Sequence, residues 1–270
     1  MTAGTKNCYV CGKEKELKHI DFANIDLYIE CECEKKEREK KEQAEQEFAL
    51  KTAIRLRNRS SHLSPVGQSA SFDTLNVDEY NEKAIRAGEY ILKNLLEDSC
   101  ESKKNSLVLQ GNRGSGKTYI STAVINDFNK KYPVSEARLR QIIKEHNNGF
   151  SFSDFSYVKS ECKFITEMDL FSLYYDNFNF CKVNSPVDEY KKAEKLLVID
   201  DVGSANYEKS KIQAMYHNIL DYRYTNNISV IATTNLQKKE LSEYIGERAF
   251  DRLQARSYFI DLTSPGSRRS

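Results

Sequence analysis

The 270-residue sequence predicts an α/β fold built on a five-stranded parallel sheet with helices on both faces. Residues 111–118 read Gly-Asn-Arg-Gly-Ser-Gly-Lys-Thr. This is a G-x-x-x-x-G-K-[ST] loop placed directly after the apolar run Ser106–Gln110 and before a helix-compatible stretch. A second apolar run, Leu196-Leu-Val-Ile-Asp-Asp201, ends in two carboxylates. A central parallel strand is apolar on both faces and opens at its C-terminal end on the ligand crevice, so acids belong there. Further β-rich runs at 163–166, 229–234 and 257–262 alternate with helix-compatible stretches, the pattern of a parallel sheet with crossover helices.

In chain order, residues 1–33 come first and hold four of the seven cysteines. Cys8-x-x-Cys11 and Cys31-x-Cys33 form two close pairs that suit a tetrahedral structural Zn²⁺. A segment this short cannot hold a fold by core burial alone, and a metal supplies the difference. The Cys-x-Cys half is tighter than the usual pair, which leaves His19 open as a replacement for Cys31 or Cys33. Cys100, Cys162 and Cys181 lack such spacing and read as core or surface thiols. An odd cysteine count with this clustering fits a reduced compartment better than a disulfide framework. The first residues lack an apolar leader, and no apolar run approaches a bilayer span, so a soluble cytoplasmic protein without membrane contact is expected.

Residues 34–60 are charged and free of Gly and Pro. Glu34/Arg38, Glu37/Lys41 and Glu47/Lys51 sit at i,i+4 in the favourable order, each worth roughly 0.2–0.5 kcal/mol in an isolated helix. A solvated linker helix is the expectation, which divides the chain into 1–33, 34–60 and 61–270. Within the last part, Ser135 as an N-cap, Leu139, Ile142 and Ile143 on one face, and Gly149 as a stop predict an extra amphipathic helix. The 41 basic and 40 acidic side chains nearly cancel, so any nucleic-acid contact must come from a local patch.

The chemistry these residues suit is ATP binding. Gly111, Gly114 and Gly116 let backbone N–H groups point at anionic oxygens, and Asn112, Arg113 and Ser115 complete the loop. Lys117 would meet the β- and γ-phosphates, and Thr118 would ligate Mg²⁺. Asp200 would hold Mg²⁺ through water, while Asp201 would orient or deprotonate the attacking water. The strand Ser229–Thr234 leads to Asn235, whose amide could reach the γ-phosphate or that water. Arg248 and Arg252 lie one helical turn apart, on one face, and by themselves read more readily as surface ion-pair residues beside Glu247 and Asp251 than as catalytic ones.

Five stretches in order resemble the bacterial helicase-loader branch of AAA+ ATPases, the DnaC/DnaI group, whose relatives include the IstB transposition helpers. They are Gly111–Thr118, Leu196–Gly203, Asp221-Tyr-Arg-Tyr224, Ala232–Leu236 and Gly246–Leu253. The resemblance covers residues from about 70 to the end. It implies that Asn235 is the sensor 1 residue and that Arg252 with Arg248 forms the arginine finger acting on a neighbouring subunit. It makes Arg268 or Arg269 a sensor 2 candidate, and it implies that no C-terminal helical lid follows the sheet. Asp201 stands where many AAA+ ATPases have Glu, and its shorter arm implies slow, switch-like hydrolysis. Loaders of the DnaI type carry a zinc-binding N-terminal domain that contacts the replicative helicase, and residues 1–33 are similar in layout. The implied partners are a hexameric DnaB-family helicase, further copies of this chain in a spiral, and single-stranded DNA near the nucleoid. Phe178 and Tyr207 resemble loader aromatics that meet the strand, with Lys209 as phosphate partner, although aromatic clusters equally form core. Two other readings stay open, an IstB-like transposition helper and a non-hydrolysing adaptor of the helicase.

Overall fold

In the computed structural model, residues 6–20, 25–97, 104–149, 158–178 and 186–263 are described. The elements begin with strands β1 (Leu17–Ile20) and β2 (Ile25–Tyr28) and helices α1 (Glu32–Ser60), α2 (Pro65–Ser69) and α3 (Glu82–Glu97). There follow β3 (Ser106–Gln110), α4 (Lys117–Lys131), α5 (Glu136–Asn147), β4 (Cys162–Thr166), α6 (Glu167–Phe178) and α7 (Pro186–Lys191). The last are β5 (Leu196–Val202), α8 (Lys209–Thr225), β6 (Ser229–Thr234), α9 (Lys238–Ile245), α10 (Glu247–Arg256) and β7 (Ser257–Asp261). Two units divide the chain: Met1–Ala53 with Val134–Asp154, and Ile54–Pro133 with Phe155–Ser270.

The larger unit holds the expected sheet, in the order β4-β5-β6-β3-β7, with every pairing parallel. Alternation along each strand sends successive side chains into two cores. Leu107, Leu109, Leu196 and Val198 pack against α3 and α4, whereas Val108, Leu197 and Ile199 pack against the helices from α6 to α10. Both faces are therefore covered, which is why these strands read as continuous apolar runs. Cys162 is one of the core residues, and burial pushes its thiol well above its ordinary pKa. Cys100 and Cys181 lie outside the described residues. Among the described residues no helical lid follows β7.

The last turn of α1 belongs to this unit through polar contacts. Arg57 donates to the carbonyls of Asn129, Tyr132 and Pro133 at 3.3, 2.6 and 3.0 Å, at the end of α4. Asn58 donates to Asn126 at 2.7 Å and accepts from Asn129 at 2.9 Å.

In the smaller unit, β1 and β2 pair antiparallel, and α1 begins at the second cysteine pair. The extra helix α5 forms as expected, with the Ser135 hydroxyl accepting the Arg138 N–H as N-cap. Its His146 ring lies 4.3 Å from that of Phe48 on α1.

Candidate nucleotide site and cysteine cluster

The nucleotide site begins where β3 ends. At Gly111 (φ 152°) a Cβ would stand 2.8 Å from the backbone carbon of Leu262, which cannot give way, so only glycine fits. Gly116 caps α4 in the left-handed region (φ 95°), with open space where a Cβ would be. No side chain caps this helix, which leaves its first N–H groups to an anion. The Ser115 hydroxyl is buried with no hydrogen-bond partner, the unmet polar atom that a bound phosphate oxygen would satisfy. The cavity here measures about 630 Å³ and is lined by the loop from Arg113 to Thr118 together with Asp200, Asp201 and Asn235.

Residues far apart in sequence converge on it. Lys117 Nζ donates to the Gly111 and Asn112 carbonyls at 2.8 Å each and to Asn235 Oδ1 at 2.9 Å. Thr118 Oγ1 donates to both Asp200 oxygens at 3.0 Å, which brings the two expected Mg²⁺ ligands together. Asp200 is buried, and burial pushes its carboxyl above the usual range. A 2.6 Å hydrogen bond from Thr233 opposes that shift, and the neighbouring Asp201 charge adds to it.

Adjacent strand residues ordinarily face opposite sides of a sheet. Here both acids line one cavity because the β5–β6 register shifts between Ile199 and Val202 and Asp201 adopts a left-handed φ of 56°. Thr233 secures this bulge by accepting the Asp201 N–H at 2.9 Å. The sequence contained no sign of the bulge or of Thr233's part in it. It also gave no indication that Ser64, Gly67, Tyr119 and Thr122 line the same cavity. Ser64-Pro65, an N-cap followed by Pro at the first helical position, was the one local signal of α2.

The remaining candidates lie elsewhere. Arg252 donates to Asp221 at 3.3 Å and lies over the Tyr224 ring, while Arg248 is exposed, and neither lines the cavity of its own chain. Arg268 and Arg269 fall outside the described residues, as does the side chain of Phe178, the last residue of α6. Tyr207 stacks on Phe171, with centroids 3.7 Å apart, and remains 42% exposed. Together with exposed Lys209 it lines a second groove of about 280 Å³.

In the smaller unit, Cys8, Cys11, Cys31 and Cys33 place their sulfurs within 4.8 Å of one another. Cys11–Cys31 and Cys31–Cys33 are 3.7 Å apart, far beyond a disulfide bond and close to the ~3.8 Å edge of a tetrahedron with Zn–S near 2.3 Å. The Cys8 sulfur accepts the Cys11 N–H at 3.5 Å, and Gly12 turns the chain with φ 72°. Buried Glu34 ties the two halves, accepting the Tyr9 and Cys31 N–H groups and pairing with Lys15 at 2.5 Å. The donor set fits zinc without His19, which instead pairs with Asp26 at 2.6 Å.

The family model for the ATPase family associated with various cellular activities (AAA) matches residues 107–258. No curated protein matches the chain. Among solved structures, that of DnaI is similar at 22% identity and a TM-score of 0.53, over 77% of this chain and 95% of that one. The DnaC helicase loader is similar at 19% identity and 0.52, over 73% of this chain and 99% of that one. AMPPCP-bound DnaA from Aquifex aeolicus is similar at 16% and 0.52, over 77% of this chain and 53% of that one. At these identities the likeness is one of fold. No helix among the described residues is long and apolar enough to cross a membrane.

Proposed function

Because the chain belongs to the AAA family of ATPases, we propose that it is an ATP-dependent loader that places a hexameric DnaB-family helicase on single-stranded DNA at replication initiation or restart. The observation that carries the reading is a pairing within one chain. The phosphate loop and the two acids of β5 line one cavity, no helical lid follows β7 among the described residues, and a four-cysteine cluster precedes them in the sequence. The likeness to DnaI and to the DnaC helicase loader, each covered almost end to end, supports it.

In this reading Lys117 and the loop N–H groups hold the ATP phosphates, while Thr118 and Asp200 hold Mg²⁺, which supplies charge neutralisation at the transferring phosphate. Asp201 and Asn235 orient the attacking water, and the short Asp201 arm makes hydrolysis slow and switch-like. Arg252 with Arg248 completes the site of the next protomer in a spiral oligomer, with Arg268 as sensor 2. Residues 1–33 bind zinc and the helicase, residues 34–60 join them to the ATPase part at 61–270, and Phe178, Tyr207 and Lys209 meet the DNA strand. The protein works in the cytoplasm at the nucleoid.

The test measures affinity of the full chain for the host's replicative helicase, with and without ATP. Replacing Cys8 and Cys11 by Ser, or stripping zinc with a chelator, should abolish helicase binding while ATP binding stays intact. Undiminished helicase affinity in metal-free protein would overturn the assignment of the partner to this module.

A further inference from the structure

We infer that Glu167 is the positioning residue through which the nucleotide cavity governs the exposed Tyr207 ring. Glu167 opens α6 and is fully buried. One carboxylate oxygen accepts the Gly203 and Ala205 N–H groups at 2.9 and 2.8 Å and the Tyr244 hydroxyl at 3.0 Å. The other accepts the Tyr216 hydroxyl at 2.5 Å. Among the described residues no cation pairs with it, so these four donors alone offset the cost of burying the charge. Burial, with the Glu167 charge behind it, pushes the Tyr216 and Tyr244 phenols up and keeps both as donors.

The arrangement grips one loop at two points. Gly203 and Ser204, which follow β5, line the nucleotide cavity. Glu167 holds the backbone at 203 and 205, and Phe171, one helical turn further along α6, holds the ring at 207. At Gly203 (φ 99°) a Cβ would stand 2.6 Å from the side chain of Leu236, another cavity residue, so the loop passes close beside that side chain. A displacement at 203–204 therefore either carries α6 with it or strips donors from a buried carboxylate. Such a site has discrete arrangements rather than a continuum. Tyr207, two residues beyond the last gripped N–H, reports which arrangement is present. The inference rests on the proposed ATP site and on Tyr207 as a strand contact.

The chain contains no tryptophan, so Tyr207→Trp places a single indole on this loop. In the full chain with Glu167 intact, ATP and Mg²⁺ should change its emission and its quenching by acrylamide. Glu167→Ala should bind ATP with the parent's affinity and lose that change. Glu167→Gln should restore it, because its amide oxygen can face the N–H pair and its amide nitrogen can face Tyr216. A response in Glu167→Ala equal to the parent's would overturn the inference. So would a parent that does not respond while binding ATP, or ATP affinity lost in step with the response. If Glu167→Ala does not fold, Tyr216→Phe removes one donor of the four and carries the test, since the Tyr216 hydroxyl bonds to Glu167 and not to the loop: a reduced response is expected, and an unchanged one overturns it. An oligonucleotide titration beside these measurements separates the two readings. A chain that binds no single strand but keeps the Glu167-dependent response loses the strand contact and retains the coupling.

Discussion

At Asp200, burial works against the carboxylate charge that the proposed Mg²⁺ role requires. Burial raises its folded-state pKa above the ordinary 3.8, so the ionised form is disfavoured in the folded protein. The folded state then binds the proton more tightly than the unfolded chain. Stability is full below that ordinary value and declines as pH rises through the folded pKa, leaving a cost at neutral pH. Asp200→Asn is accordingly expected to raise the melting temperature while lowering Mg²⁺-dependent ATP affinity by at least about tenfold, roughly 1.4 kcal/mol. In the parent, that affinity should fall with acidification at a pH above the range of an exposed aspartate, and the fall should be missing in Asp200→Asn. Differential scanning and titration calorimetry across pH check both halves.

Between elements, the contact most open to test is the polar seam that fastens α1, α4 and the approach to β4. Asn129 is completely buried. Its amide nitrogen donates to Asn58 and Ser61, both at 2.9 Å, and its oxygen accepts the Ser160 hydroxyl at 2.7 Å. Each group left unmatched in such a place costs about 1–3 kcal/mol, so Asn129→Ala is expected to lose at least that much in denaturant unfolding of the full chain. A loss under about 0.5 kcal/mol, the range of an ordinary surface change, would mean that the seam does not hold α1. The same seam explains why the charged stretch 34–60 does not end as a solvated helix: Arg57 and Asn58 are buried against α4.

On the scale of the whole molecule, the separation of Arg252 and Arg248 from the cavity matters most. Neither reaches the nucleotide cavity of its own chain, as a finger serving a neighbour requires. Lys117→Ala should lose ATP binding, whereas Arg252→Ala should bind ATP yet lose hydrolysis by roughly 10³–10⁵-fold, the worth of such a finger in other nucleotidases. Mixing the two inactive variants should restore part of the activity, since some interfaces pair an intact loop with an intact finger. A phosphate-release titration of one into the other, with single-stranded DNA present, measures this. Background activity at all ratios, with both variants folded and co-assembling, would return Arg252 to its pairing with Asp221 and Tyr224.

Features written in consecutive residues were legible from residue order alone. The phosphate loop from Gly111 to Thr118, the acids near the end of β5, the strand runs and the N-cap of α5 each depend on neighbours a few positions away. Strand and helix periodicity make such neighbours readable. The rest depends on contacts between distant parts of the chain. The bulge that turns Asp201 to the same cavity as Asp200 depends on Thr233, more than thirty residues later in the chain. Glu167 meets partners 36 and 77 positions away, and His19, which its place in the sequence left open as a metal ligand, pairs with Asp26 across β1 and β2. Tyr207 could have been core or surface, and stacking on Phe171 made it partly both. In each case a side chain pairs with groups that the fold brings beside it, and for the buried polar ones such partners are obligatory; residue spacing along the chain carries no record of which groups these are.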